Sequence, residues 1–220
     1  MTSLGNATTR LGPPAPDTPL LGGNPVVDLV NTVHWRNSER RHDTLLSYAD
    51  AVRFAGHMGL LTDAPELNTL VELASTDVSR ASEALEHLAR AREAIHGVLA
   101  PIARDQDPAG SDLAWVGRAH ADALDHARLV QQGDGFIWTW TGSDPWRRVA
   151  RPLIAAATDL LLSPDRARIK ECDDEGCGWL FVDHSKNGSR RWCSMDLCGS
   201  RAKMRTHYRR KKGSLERSDP

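Results

Sequence analysis

The stretch CDDEGCGWLFVDHSKNGSRRWCSMDLCG, residues 172–199, holds every cysteine of the chain, as Cys172-x4-Cys177 and Cys193-x4-Cys198 with fifteen residues between the pairs. Thiolates paired in this way let two short loops each supply two corners of a tetrahedron, the arrangement a structural zinc ion takes. A glycine follows each pair, Gly178 and Gly199, and glycine accepts the positive φ that turns nearby amides toward sulfur. Disulfides would call for an oxidising compartment, yet the chain opens on Met-Thr-Ser-Leu-Gly without the charged, apolar, then small-residue pattern of a leader. Iron also accepts four thiolates, although nothing else in the chain points to electron transfer. A catalytic zinc keeps one position for water, whereas four cysteines fill it. The expectation is one structural Zn2+ on Cys172, Cys177, Cys193 and Cys198.

Outward from that stretch the charge changes sign. Residues 1–164 carry 14 Arg, no Lys and 20 acids, whereas residues 165–220 carry 14 Lys or Arg and 9 acids. Between Lys186 and Lys212 there are ten bases and a single acid, Asp196. A positive patch beside a metal site suits a polyanionic partner. At 220 residues and 40% hydrophobic content the chain is long enough for one sizeable core plus a small appended module. No apolar run approaches the ~20 residues needed to cross a bilayer, so a cytoplasmic protein without membrane contact is expected.

Periodicity predicts a mainly α fold with one small β-hairpin and a C-terminal treble-clef-like zinc module. Residues 1–21, rich in proline and small polar residues, read as a disordered arm. The segment from Val26 to Val33 has an ambiguous period, with helix preferred. Helices are expected from Asp43 or Thr44 to Met58, over 64–74, over 79–103, and over 111–125. The runs 127–132 and 136–141 flank Gly133-Asp134-Gly135 and read as a hairpin, with Trp138 and Trp140 on one face packed against a helix. Asp144-Pro145 opens a further helix that Pro152 should kink or divide. The divisions are thus a helical domain over 22–163, a zinc module over 164–212, and a disordered tail over 213–220.

Within the module, residues 169–172 and 179–183 look like two short strands joined through the first cysteine pair. A helix capped by Ser194 is expected from Met195 to about Lys211, so the ion ties a hairpin to a helix N-terminus. Arg201, Arg205 and Arg209 share one face of that helix at i, i+4, i+8 and repel one another unless an anion lies nearby. Phosphates would relieve that repulsion, so Arg190, Arg191, Arg201, Lys203, Arg205 and Arg209 are the candidate nucleic-acid contacts.

The run Arg190-Arg191-Trp192-Cys193-Ser194-Met195, followed by Cys198-Gly199-Ser200-Arg201-Ala202-Lys203, resembles the CGNR zinc finger, as does Cys177-Gly178-Trp179-Leu180-Phe181-Val182-Asp183. Asn24-Pro25-Val26-Val27-Asp28-Leu29-Val30-Asn31-Thr32 and Gly59-Leu60-Leu61 resemble the ABATE-type domain that precedes it. The resemblance spans residues 22–212 and implies a bacterial, stress-related transcription regulator whose zinc module binds DNA. Ser200 stands where the family has Asn, and a serine cannot make the bidentate amide contact to adenine.

Asp28, Asn31, His34 and Arg36 are polar groups on one apolar segment and form the candidate pocket for a small-molecule effector, with structural hydrogen bonding as the competing account of Asp28 and Asn31. On this reading the N-terminal domain is expected to sense such a ligand or to form a homodimer. The alternative to a DNA-binding regulator is a zinc-stabilised protein-interaction or RNA-binding module. An enzyme is not expected, because no motif brings together a nucleophile, a base and an orienting group.

Overall fold

The computed structural model describes residues 18–215 except 141 and 143, with only the backbone described from 210 onward. Most of the expected arm, residues 1–17, and part of the expected tail, residues 216–220, lie outside the described residues. Residues 18–21 belong to the fold rather than to an arm. Thr18 is 2% exposed, and its hydroxyl shares hydrogen bonds with Thr44 Oγ1 at 2.7 Å and His34 Nε2 at 3.3 Å.

The chain enters through α1 (Pro25–Val30), whose helical period is settled by its start: Asn24 caps it by accepting from Val26 N, and Pro25 occupies the first position. Two-residue strands β1 (Val33–His34) and β2 (His42–Asp43) pair antiparallel before α2 (Tyr48–His57). That helix begins later than its periodicity predicts, with Ser47 as the cap. Asp43 is drawn away from capping by Arg92, a 4% exposed guanidinium that donates to Asp43 Oδ1 at 2.8 Å and to Thr32 Oγ1 at 2.9 Å.

Helices α3 (Ala64–Thr76), α4 (Val78–Ala103) and α5 (Gly110–Asp125) follow. The 26-residue α4 is the axis of the molecule, because Ala81, Leu88, Ala91, Ile95, Val98 and Leu99 recur every three or four residues and are buried. Around it pack α1, α2, α3, α5 and α6 (Ala150–Leu162). Asp144 caps a 3-10 turn over Pro145–Arg147, and α6 starts afresh at Ala150. Pro152 therefore falls in the first turn of α6, where a missing N–H leaves no bond unmade, and the division precedes it.

Strands β3 (Ala127–Gln132) and β4 (Gly135–Trp140) form the expected hairpin in unbroken antiparallel register, Ala127 opposite Trp140 and Gln132 opposite Gly135. Its aromatic face is not packed against a helix as expected: Trp140 is half-buried, but Trp138 is 53% exposed.

The last pair, β5 (Ile169–Glu171) and β6 (Leu180–Val182), belongs to the same core as the helices. Ile169, Leu180 and Val182 pack with Val26, Val30, Val98 and Leu160. The expected boundary at 163/164 thus separates two stretches of sequence, while one apolar core runs across it. The chain ends in α7 (Ser200–Leu215), which continues three residues beyond the expected end at 212.

Candidate metal centre and the basic helix

The first cysteine pair sits on the turn between β5 and β6. Cys172 N donates to Trp179 O at 2.9 Å, continuing the strand pairing, and Cys177 N donates to Asp174 O at 3.0 Å to close the turn. Gly178 has φ +68°, and a Cβ there would lie 2.8 Å from Arg36 Cβ, so both conformation and space demand glycine. The second pair leads into α7. Cys193 precedes the helix, and Cys198 lies on a single π turn, Met195–Gly199, capped by Ser194 through Leu197 N. Gly199 does not take the expected positive φ; a Cβ there would meet Met195 Sδ at 2.5 Å, so a larger residue needs the half-exposed Met195 side chain to shift.

These two segments bring the four sulfurs together. All are buried, and all lie within 4.8 Å of one another, with Cys193–Cys198 at 3.4 Å, Cys198–Cys177 at 3.7 Å and Cys177–Cys193 at 3.8 Å. A tetrahedral ion with Zn–S of about 2.3 Å requires sulfurs about 3.8 Å apart, so the donor set and its spacing fit one zinc ion. Contact with the other three sulfurs lowers Cys172 and raises Cys193, while Cys172 and Cys177 raise Cys198 against a lowering by Cys193. Cys193 N donates to Cys172 Sγ at 3.3 Å, and Arg201 Nη2 donates to Cys198 Sγ at 2.9 Å. Four thiolates around a divalent ion carry a local charge of about −2, and the guanidinium offsets part of it.

Arg201, Arg205 and Arg209 do line one face of α7, but the anion facing them is internal. Asp174, in the turn between the first two cysteines, accepts from Arg201 Nε at 2.9 Å and from Arg205, while Arg209 reaches Glu175 at 3.0 Å. The Asp174 side chain is fully buried. Burial pushes its carboxyl upward, and the Arg205 and Arg201 hydrogen bonds outweigh that and hold it below the usual range. Arg191 pairs with Asp173 at 2.7 Å on the outside of the same turn. The acidic run 173–175 thus answers the basic helix, a signal present in the sequence that the charge census passed over.

Arg190 is a strut. Its guanidinium lies 4.2 Å over Phe181 and donates to Leu21 O at 2.8 Å, Trp192 O at 3.0 Å and Cys193 O. Asp183 positions it, accepting from Arg190 N at 3.0 Å, Ser185 N at 2.9 Å and Lys170 Nζ at 2.7 Å. Burial raises Asp183, but the Lys170 and Ser185 bonds hold it well below the carboxylate range. Of the six candidate contacts, Lys203 is exposed and has no carboxylate partner among the described residues. It projects opposite the Arg201 face, about 200° around the helix.

The four candidate pocket residues each make contacts of their own. Asp28 accepts from Gly22 N at 2.7 Å. Asn31, 0% exposed, accepts from Leu180 N and donates to Leu180 O, both at 2.9 Å, so its amide pairs with β6 as a neighbouring strand would. Arg36 grips Glu93 at 2.8 and 3.0 Å, and its own amide donates to Cys177 O at 3.2 Å. His34 borders an open cleft, about 320 Å3 in volume, with Trp35, Trp179, Leu197, Arg201 and three of the four cysteines. Trp35 holds φ +54° there, its ring between Arg40 at 3.8 Å and Arg201 at 4.6 Å. Nothing in the residue pattern marked Trp35 as a support of α7, because its contact with Arg201 joins positions 166 apart in sequence.

No helix among the described residues is long and apolar enough to cross a membrane. No curated protein matches the chain. The family model for the CGNR zinc finger matches residues 168–211, over both cysteine pairs and most of α7. The model of the ABATE domain, described as "Putative stress-induced transcription regulator", matches residues 23–164, from the turn before α1 through α6. With nearly two thirds of its length under one model and the metal centre under the other, the chain belongs to the ABATE family and ends in a CGNR zinc finger.

Proposed function

We propose that this protein is a zinc-dependent, DNA-binding transcription regulator without catalytic activity, in which one Zn2+ on Cys172, Cys177, Cys193 and Cys198 aims α7 at a nucleic-acid backbone. The observation that supports this most is the position of Cys198 within the turn that becomes α7, so that the ion and the start of the basic helix are a single rigid unit. Four reduced cysteines and this partner suit the cytoplasm.

The candidate contacts divide by their surroundings. Lys203 is open to solvent, and the pairs Arg191–Asp173 and Arg209–Glu175 are at least 45% exposed on every side chain, so a phosphate replaces the carboxylate at a cost of about 1 kcal/mol or less. Arg201 and Arg205 stay on Asp174, and Arg190 stays on main-chain carbonyls, where they hold the helix rather than the ligand. Ser200 donates to Met195 O at 3.2 Å and is committed to the helix start.

Fluorescence anisotropy of labelled duplex DNA across a salt series tests the reading. Log affinity falls with log salt by about 0.9 per phosphate neutralised. Lys203→Ala flattens that slope by about one contact, and Glu175→Gln, which releases Arg209, steepens it by about one. A slope near zero, or slopes blind to both substitutions, removes DNA as the partner. Tighter binding to single-stranded RNA loops transfers the same surface to RNA.

A further inference from the structure

We propose that the β3–β4 hairpin is the dimerisation element of this protein, with β4 of one copy pairing antiparallel with β4 of a second copy to make a four-stranded sheet. This goes beyond the DNA-binding reading and does not rest on it.

The ribbon is an incomplete structure by itself. Its base is covered at Ala127 and Trp140, and from there it extends five residue pairs outward. A two-stranded hairpin is marginal in water, and three or more strands or a packed face are needed for it to persist. This one exposes Leu129 by 58%, Phe136 by 68%, Ile137 by 39% and Trp138 by 53%. Leu129 lies opposite Trp138 and Gln131 opposite Phe136, which places Leu129, Phe136 and Trp138 on one face.

Except at Trp140, whose carbonyl accepts from Arg148, the outer edge of β4 has no partner among the described residues. Solvent-facing edges are ordinarily blunted with charges, proline or bulges. Gly135-Phe136-Ile137-Trp138-Thr139-Trp140 has no charge and no proline, and its one-to-one register leaves no bulge. A strand of this kind suits a copy of itself, since no like charges meet. A two-fold axis perpendicular to the sheet at Ile137 sets Phe136 of each copy opposite Trp138 of the other, on the same face, as directly opposed residues in antiparallel sheets must be.

Counting roughly 200 Å2 for an aromatic side chain, Leu129, Phe136 and Trp138 leave about 350 Å2 of apolar surface open on one face, the size of patch that marks an interaction site. Pairing the two β4 edges satisfies main-chain groups that water otherwise holds and brings Phe136 of each copy against Trp138 of the other, while Leu129 extends the apolar face on the outer strand.

Sedimentation equilibrium of the full, zinc-loaded chain decides the matter. The wild type is expected as a dimer at about 50 µM, and the double substitution Phe136→Lys/Trp138→Lys raises the dimer dissociation constant at least ~100-fold. Far-UV circular dichroism and zinc content remain unchanged in that variant, because the ribbon lies outside the core. Leu162→Lys, at an 82% exposed leucine away from the ribbon, leaves the dimer intact. A wild type that stays monomeric, a double variant that stays dimeric, or equal disruption by Leu162→Lys overturns the proposal.

Discussion

Replacing Asp174 by Asn tests whether the metal and the basic helix are coupled through the turn carboxylate. The side chain keeps its shape and loses its charge, while Arg201 and Arg205, 39% and 34% exposed, remain against it. A hydrogen bond to a charged group contributes ~1.5–3 kcal/mol, and asparagine preserves one acceptor while its NH2 faces the other guanidinium. Water recovers part of the loss at side chains that are one-third exposed, leaving a net cost of about 2 kcal/mol. Because Arg201 also donates to Cys198 Sγ, that cost appears at the ion. It corresponds to a Zn2+ dissociation constant raised about 30-fold, within the 10–100-fold range for groups that orient metal ligands. Competition between the reduced protein and a chromogenic chelator at neutral pH measures it directly. Asp173→Asn is the internal reference, since the Asp173–Arg191 pair is 45% and 65% exposed and contributes under ~1 kcal/mol. An Asp174→Asn affinity within about twofold of wild type, or an equal loss in Asp173→Asn, would refute the coupling.

Acid should expose His96. Burial, reinforced by the Arg36 charge, lowers its pKa from 6.5 to about 4. The unfolded chain therefore binds the proton first, and the stability this histidine contributes is complete above pH 6.5 and lost as pH falls toward 4, by up to about 3 kcal/mol. The urea-unfolding gap between wild type and His96→Gln is expected to change by that amount between neutral pH and pH ~4.5, and parallel profiles would contradict it. Glu93 behaves similarly at lower pH. Burial raises it, but Arg36 holds it down to about 2 from 4.5, so its contribution is present above pH 4.5 and fades as pH falls toward 2. Asn31→Ala removes both bonds to Leu180, a buried strand residue three positions after Cys177, leaving two buried main-chain groups unpaired. A loss of about 2–4 kcal/mol in global unfolding is expected, with zinc released earlier in the chelator titration; a stable variant with normal zinc retention would mean that the module does not lean on α1.

The four-cysteine cluster was legible because the requirement is local. Two cysteines five positions apart can share an ion whatever the remainder of the fold does, and the equal spacing of the second pair completes the tetrahedron. Long helices were legible for the same kind of reason: the stripe from Ala81 to Leu99 repeats at the helical period, so α4 was found almost to its ends. Boundaries were missed where a distant partner intervened. Asp43 looks like a helix cap until Arg92 claims it, and Pro152 looks like a break until the helix is seen to begin at Ala150.

The sequence by itself determined that four cysteine sulfurs would be assembled, that a helix would follow the last of them, and that Arg201, Arg205 and Arg209 would share a face. Helical geometry and ligand spacing depend only on near neighbours. What those arginines face was decided by tertiary structure alone, because Asp174 and Glu175 lie 27 to 34 positions earlier and reach them only when the β5–β6 turn folds onto α7. The same holds for Asn31, whose amide completes a strand edge 149 residues away. Charge and polarity are properties of residues, whereas whether a charge is already balanced depends on which distant groups the packed core brings within about 3 Å of it.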